Sequence, residues 1–179
     1  MKLLKEFTIP FVGLKIGKHH FDYKIEQTFF EHFEYEDFND VNVLVDVELE
    51  KKSTFLELHF KISGWVNINC DLTNEPYNQT IENEFNLVVK FGEEYNDEFV
   101  DILIVPHGTF EINIQQYIYE MIILAVPLKR THPGIEDGSL DSDILKRLEE
   151  LRPKQKEEKE EEEEIDPRWN KLKKLLTDK

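Results

Sequence analysis

The sequence predicts an α+β fold: a mainly antiparallel β-sheet, open or closed like a barrel, with one long buried helix and a C-terminal helical tail. Three observations carry this. Residues 41–50, VNVLVDVELE, alternate apolar and polar without a fault, so Val41, Val43, Val45, Val47 and Leu49 share one face of a strand. Residues 56–76, LELHFKISGWVNINCDLTNEP, carry the same period over a longer run. Residues 114–126 change to helical spacing, and Pro127 stops the helix.

Composition sets the outer limits. With 179 residues, 40% of them hydrophobic and 34% charged, the chain can bury one real core beneath a heavily charged surface. No run approaches the ~20 apolar residues of a membrane helix. The opening MKLLKEFTIPF is broken by Lys5 and Glu6 and is not expected to act as a secretory signal. Cys70, the single cysteine, cannot form an internal disulfide, which suits a reducing cytoplasm. Three segments are expected: an α+β body over 1–152, an acidic linker over 153–165 and a basic tail helix over 166–179. Residues 154–164 hold three lysines and seven glutamates, and residues 166–179 hold five basic and two acidic residues, which leaves −15 of the total −16 on the remainder. Such a body repels phosphate backbones, so direct nucleic-acid contact would need a local basic patch or the tail.

Taken in order, residues 5–11 read as a short edge strand with Phe7, Ile9 and Phe11 on one face and Pro10 excluding a central place. After Gly13 and Gly17, residues 20–25 read as a second strand, and 26–33 as one or two helical turns bearing Phe29, Phe30 and Phe33. Residues 34–40 are an acidic loop. Lys51-Lys52-Ser53 turns the 41–50 strand into the 56–76 stretch, making an antiparallel hairpin. Within that stretch Leu56, Leu58, Phe60 and Ile62 precede Ser63-Gly64, and the change to Trp65 reads as a phase shift at a β-bulge. Residues 79–91 alternate again through Ile81, Phe85, Leu87 and Val89 and pair back onto the long strand, and residues 99–105 form a compact apolar strand after the Asn96-Asp97-Glu98 loop.

In the 114–126 helix, Asn113 is the expected N-cap with Gln116 in capping-box position. Ile114, Tyr117, Ile118, Met121, Ile122 and Ala125 form one face, while Tyr119 and Ile123 lie on the other. The helix is either buried on two sides or offers a second apolar surface. Residues 128–139 are irregular, 141–151 a short amphipathic helix, and 153–165 a solvated charged linker. Asp166 caps the tail helix with Pro167 at its first position, and Trp169, Leu172, Leu175 and Leu176 form its stripe. Such a helix docks either on a partner or on the chain's own body.

The sequence assembles no catalytic constellation. His19 and His20 are adjacent and point to opposite faces of a strand, and His32, His59, His107 and His132 lack the partner spacing of a metal site. A lone cysteine on the apolar side of a strand is a small buried hydrophobe more often than a nucleophile. No phosphate-binding or nucleophile-elbow motif occurs. No catalytic, cofactor-binding or metal-ligating residue is assigned, and no cofactor is expected.

Three stretches together resemble the YceD family of large ribosomal RNA subunit accumulation proteins. Residues 70–76, CDLTNEP, stand where many members have C-x-R-C-L-E-P after a strand. Residues 119–127, YEMIILAVP, are similar to the family's helix ending in Leu-Ala-Leu-Pro, and residues 166–175, DPRWNKLKKL, to its closing motif. The matched positions include Cys70, Glu75, Pro76, Pro127, Asp166 and Pro167. Thr73 replaces the second cysteine, Leu72 the arginine, and Thr131-His132-Pro133-Gly134 stands where many members have a cysteine cluster, so no metal site is carried over. The resemblance implies a non-enzymatic cytoplasmic factor for 23S rRNA accumulation and large-subunit assembly. It implies a ribosomal or assembly protein, the 23S rRNA precursor, or both as partners, with no membrane and no small-molecule substrate. Arg168, Trp169, Lys171 and Lys174 are the residues expected to touch partner or RNA. The alternative is a homodimeric protein-interaction domain, unrelated to RNA, built on the 114–126 helix.

Overall fold

Period-2 alternation becomes a single large sheet. The computed structural model describes residues 4–136, 138–140 and 143–151, and the chain divides into two units, Met1–Asp141 and Ser142–Lys179. In the first, β1 (Thr8–Pro10) precedes β2 (Gly17–Glu26), β3 (Asp40–Lys51), β4 (Phe55–Asn69), β5 (Pro76–Gly92) and β6 (Ile102–Pro106), which lie side by side in the order β2-β3-β4-β5-β6. The first three pairings are antiparallel; β3–β4 and β4–β5 are joined by short turns, and β2 reaches β3 through residues 27–39. The fourth is parallel: Val88 faces Ile102 and Gly92 faces Pro106, so the sheet is mixed.

The sheet is not a barrel. β2 and β6 are its two edges, and the free side of β6 is engaged by the returning loop, where Asn96 and Ile104 exchange both backbone hydrogen bonds at 3.0 and 2.8 Å. Residues 99 and 100, expected in this strand, lie in that loop, with Phe99 and Val100 exposed.

β4 is the spine and runs without a bulge. Its partners count down residue by residue on both sides, from Lys51 opposite Leu56 to Asp40 opposite Asn67, and from Lys90 opposite Phe55 to Pro76 opposite Asn69. Leu56, Leu58, Phe60, Ile62, Val66 and Ile68 therefore face inward together, each at most 3% exposed. Trp65 is half-buried on the opposite, outer face, between Asn42 and Thr80. The glycine has another purpose than the expected bulge. Gly64 sits at φ +155°, and a Cβ there would overlap the Asn42 carbonyl oxygen and lie 2.7 Å from Val43 Cα. Only glycine lets β3 and β4 stay in register at that point.

The inner face also takes Val41, Val43, Val45, Val47 and Leu49 of β3 and Ile81, Leu87 and Val89 of β5. Burying each such side chain contributes roughly 1.5–3 kcal/mol. The core is covered by β1, β7 (Glu111–Asn113), α1 (Gln27–His32) and α2 (Gln115–Ala125). β1 and β7 form their own antiparallel pair, with Ile9 opposite Ile112 and Pro10 spared a central position. Around α1, Phe7, Phe29, Phe30 and Phe38 meet edge to face, with Phe7 to Phe29 and Phe30 to Phe38 ring centroids at 5.0 and 4.9 Å.

α2 is shorter and less buried than the sequence suggests. It spans 11 residues and buries Gln115, Ile118, Met121 and Ile122, while Leu124 is 79% exposed. Its second side is largely covered within the chain: Tyr119 stacks on Phe33 at 4.1 Å, with the rings 7° from parallel. Asn113 serves the start of the helix, its Oδ1 accepting the Gln115 N–H at 3.1 Å while its amide donates to Leu4 O and Thr8 Oγ1. Gln116 instead donates to Glu120 on the exposed side, so no capping box forms. Gln115, fully buried, accepts the Leu4 N–H at 2.7 Å and so secures the opening segment. After α2 comes a single helical turn, α3 (Pro133–Glu136). In the second unit, α4 (Asp143–Leu151) is an amphipathic helix with Ile144, Leu148 and Leu151 at helical spacing, all exposed.

Candidate functional site

Two regions of the first unit bear on function. One is a corner where matched stretches meet; the other is a groove beside α2.

The corner begins where β4 ends. Cys70 N–H donates to Glu75 O and Asn74 N–H to Cys70 O, both at 2.9 Å, closing a tight turn. Asn74 takes the left-handed conformation, φ 58°, that this closure needs and that asparagine tolerates. Thr73, only 2% exposed, accepts the Glu75 N–H through its hydroxyl at 3.4 Å. The chain following Pro127 returns to this turn. Asp71 N–H donates to Arg130 O at 2.7 Å, Arg130 N–H donates to Asp71 Oδ2 at 2.9 Å, and His132 N–H donates to Cys70 Sγ at 3.3 Å. The His132 ring meets Tyr77 edge-on, with centroids 5.4 Å apart. Cys70, Glu75 and Pro76 thus stand on one side of a stitched corner and the segment after Pro127 on the other. Pro127 itself is exposed just past the end of α2.

The chemistry of this corner is structural. Cys70 is 2% exposed. Burial raises its thiol pKa, yet hydrogen bonds from the Thr73 side chain and from the backbone at His132, Leu72 and Thr73 together set it below its ordinary value. A nucleophile needs access and a base. Here the His132 Nδ1 accepts the Gly134 N–H at 2.9 Å instead of facing the sulfur. Among the described residues no three His, Cys, Asp or Glu side chains are placed to share a metal ion.

The groove is about 690 Å³ and lies between α2, the 93–101 loop and β5–β6. Phe85, Leu103, Ile112, Tyr117 and Met121 contribute to its lining, and Phe99, Val100 and Leu124 stand in it 56, 82 and 79% exposed. Acidic side chains surround this apolar surface: Asp97, Glu98, Glu111 and Glu120, with Glu84 at one end. Burial, reinforced by Tyr95, Asp97 and Glu120, pushes the Tyr117 hydroxyl up to about 12. No lysine, arginine or histidine is among its lining residues. Nothing in the sequence pattern isolates this surface, because its exposed apolar residues are scattered over 95–124 without a common period.

A second depression, about 700 Å³, lies on the outer face of the sheet around Asp22, Leu44, Asp46, Lys61, Glu82 and Glu84. Lys61 of its lining pairs across strands with Glu84 at 3.2 Å, and elsewhere on the sheet Lys18 pairs with Glu48 at 2.7 Å. Solvent screens exposed pairs of this kind, so they contribute little to stability. Arg168, Trp169, Lys171 and Lys174, with Asp166 and Pro167, lie outside the described residues.

The family model described as large ribosomal RNA subunit accumulation protein YceD matches residues 58–176. The chain belongs to the YceD family. The matched span begins inside β4 and takes in the stitched corner, β5, the groove and α2, together with the three stretches that carried the resemblance. β1, β2, α1 and β3 precede it, although they complete the sheet and its core. No curated protein and no solved structure matches the chain. The YceD description points to the accumulation of large-subunit ribosomal RNA. No helix among the described residues is long and apolar enough to cross a membrane.

Proposed function

We propose that this YceD-family protein supports 23S rRNA accumulation and large-subunit assembly as a binding factor in the cytoplasm, without catalysing a reaction. It engages a ribosomal or assembly protein through a basic surface of that partner, alone or together with the 23S precursor. The family match over residues 58–176 carries this reading. Charge supports the protein-mediated form of it. Of the net −16, all but one unit resides outside the two charged C-terminal segments, and phosphate chains avoid such a surface whereas basic proteins seek it. Arg168, Trp169, Lys171 and Lys174 provide the contact that an acidic body cannot make with RNA. Removing residues 166–179 tests that assignment: the shortened protein should lose association with pre-large subunits, and unchanged association would remove the tail from the mechanism.

A further inference from the structure

We propose that the groove beside α2 is the docking site for a cationic amphipathic segment of a partner protein, its apolar side chains seated on Phe99, Val100 and Leu124 and its lysines and arginines against the acidic rim. The inference deepens the assembly reading and rests on it for where the partner is found, not for the chemistry of the groove.

Three features carry it. Exposed Phe99, Val100, Leu124 and Tyr95 converge around one concavity, where contiguous apolar surface marks a place of contact. The walls are built: Asn96 is paired to Ile104 across the loop, and Thr109 donates its hydroxyl to Pro106 O at 2.8 Å. Among the described residues that line it, the rim charge is one-sided, with carboxylates and no lysine, arginine or histidine. Among the described residues, Asp97, Glu98 and Glu120 receive hydrogen bonds from neutral groups, the Tyr95 hydroxyl and the Asn96 and Gln116 amides. Glu84 differs, being paired with Lys61. A groove with an apolar floor and a carboxylate rim is the complement of a basic amphipathic segment. It is a poor site for RNA, which brings phosphates to carboxylates, and for a second copy of this groove, which would oppose like charges.

The test uses the full-length, isotope-labelled chain and three probes: a synthetic amphipathic peptide of lysine, leucine and tryptophan, the same peptide with glutamate for lysine, and a short single-stranded RNA. Saturable shifts at Phe99, Val100 and Leu124 with the lysine peptide alone are expected. Binding should weaken about tenfold in Glu98→Lys/Glu120→Lys, both being exposed positions. Equal binding of the glutamate peptide, RNA shifts in the groove, no binding, or insensitivity to the charge reversal would overturn the proposal. So would groove resonances that move, without any probe, when residues 166–179 are deleted, since the occupant would then be the chain's own tail. In cells lacking the protein, the charge-reversed variant should fail to restore 23S rRNA levels. Full restoration by that variant refutes the groove, whereas cells that need no restoration refute the assembly reading itself.

Discussion

Replacing Gly64 with alanine should destabilise the first unit by roughly 2–6 kcal/mol. The added methyl would overlap the Asn42 carbonyl oxygen and stand 2.7 Å from Val43 Cα, so the atoms that must yield are backbone atoms of a hydrogen-bonded strand. Overpacking of this kind costs about 1–3 kcal/mol. Holding a non-glycine residue at a sparsely populated backbone angle adds a similar ~1–3 kcal/mol. The perturbation sits mid-sheet: Gly64 lies between Val43 of β3 and Ile81 of β5, and both of these neighbours are buried. Against a total stability of about 5–15 kcal/mol for a domain, that loss is large. Urea unfolding followed by far-ultraviolet dichroism and tryptophan fluorescence measures it, with the exposed neighbour Ser63→Ala as control. A midpoint displaced with unchanged slope is expected for Gly64→Ala, and almost none for the control. A Gly64→Ala protein within about 0.5 kcal/mol of the parent would refute the close approach, because a substitution without steric consequence falls in that range.

Asn113→Ala removes an acceptor for Gln115 N–H and two donations to the opening segment, so a loss of about 1–3 kcal/mol is expected in the same unfolding experiment. Cys70, 2% exposed and accepting a backbone N–H, should react with a thiol reagent only as fast as its surroundings open, and rapidly in denaturant; fast native labelling would contradict its place in the corner. Tyr117 should titrate near 12, against 10.0 for an ordinary tyrosine. Its folded pKa lies above the unfolded value, so the neutral hydroxyl is the form that folding favours; its contribution is complete below pH 10 and is lost as pH rises through 12. Tyrosinate absorbance in Tyr117→Phe should lack that late transition, and an unchanged titration would contradict the burial.

Alternation made the sheet legible. The odd residues of β3 and the even residues of β4 point inward as their pattern implies, because a strand with one buried face must alternate. The expected bulge rests on a change of phase across Ser63-Gly64, which requires Trp65 to share the inner face. It is half-buried on the outer face instead, a place an amphipathic ring can occupy without a change of register. β7 escaped notice because three residues carry no period, and its partner strand lies about a hundred positions away. The parallel course of β6 and the open edges depend on how the 93–101 loop folds back through Asn96, which local pattern does not encode. The turn at 70–76 is legible as a motif, but its attachment to Arg130 and His132 depends on long-range hydrogen bonds between segments. The groove was hidden for the same reason: its acids read as solvated loop charges until folding brings them around Phe99, Val100 and Leu124.

Sucrose-gradient sedimentation with 23S rRNA quantification, in cells lacking this protein, tests the proposed role in making large ribosomal subunits. A fall in 23S rRNA and in free and assembled large subunits, restored by the parent gene, is the predicted result. Normal 23S rRNA with a normal large-subunit peak would contradict that role.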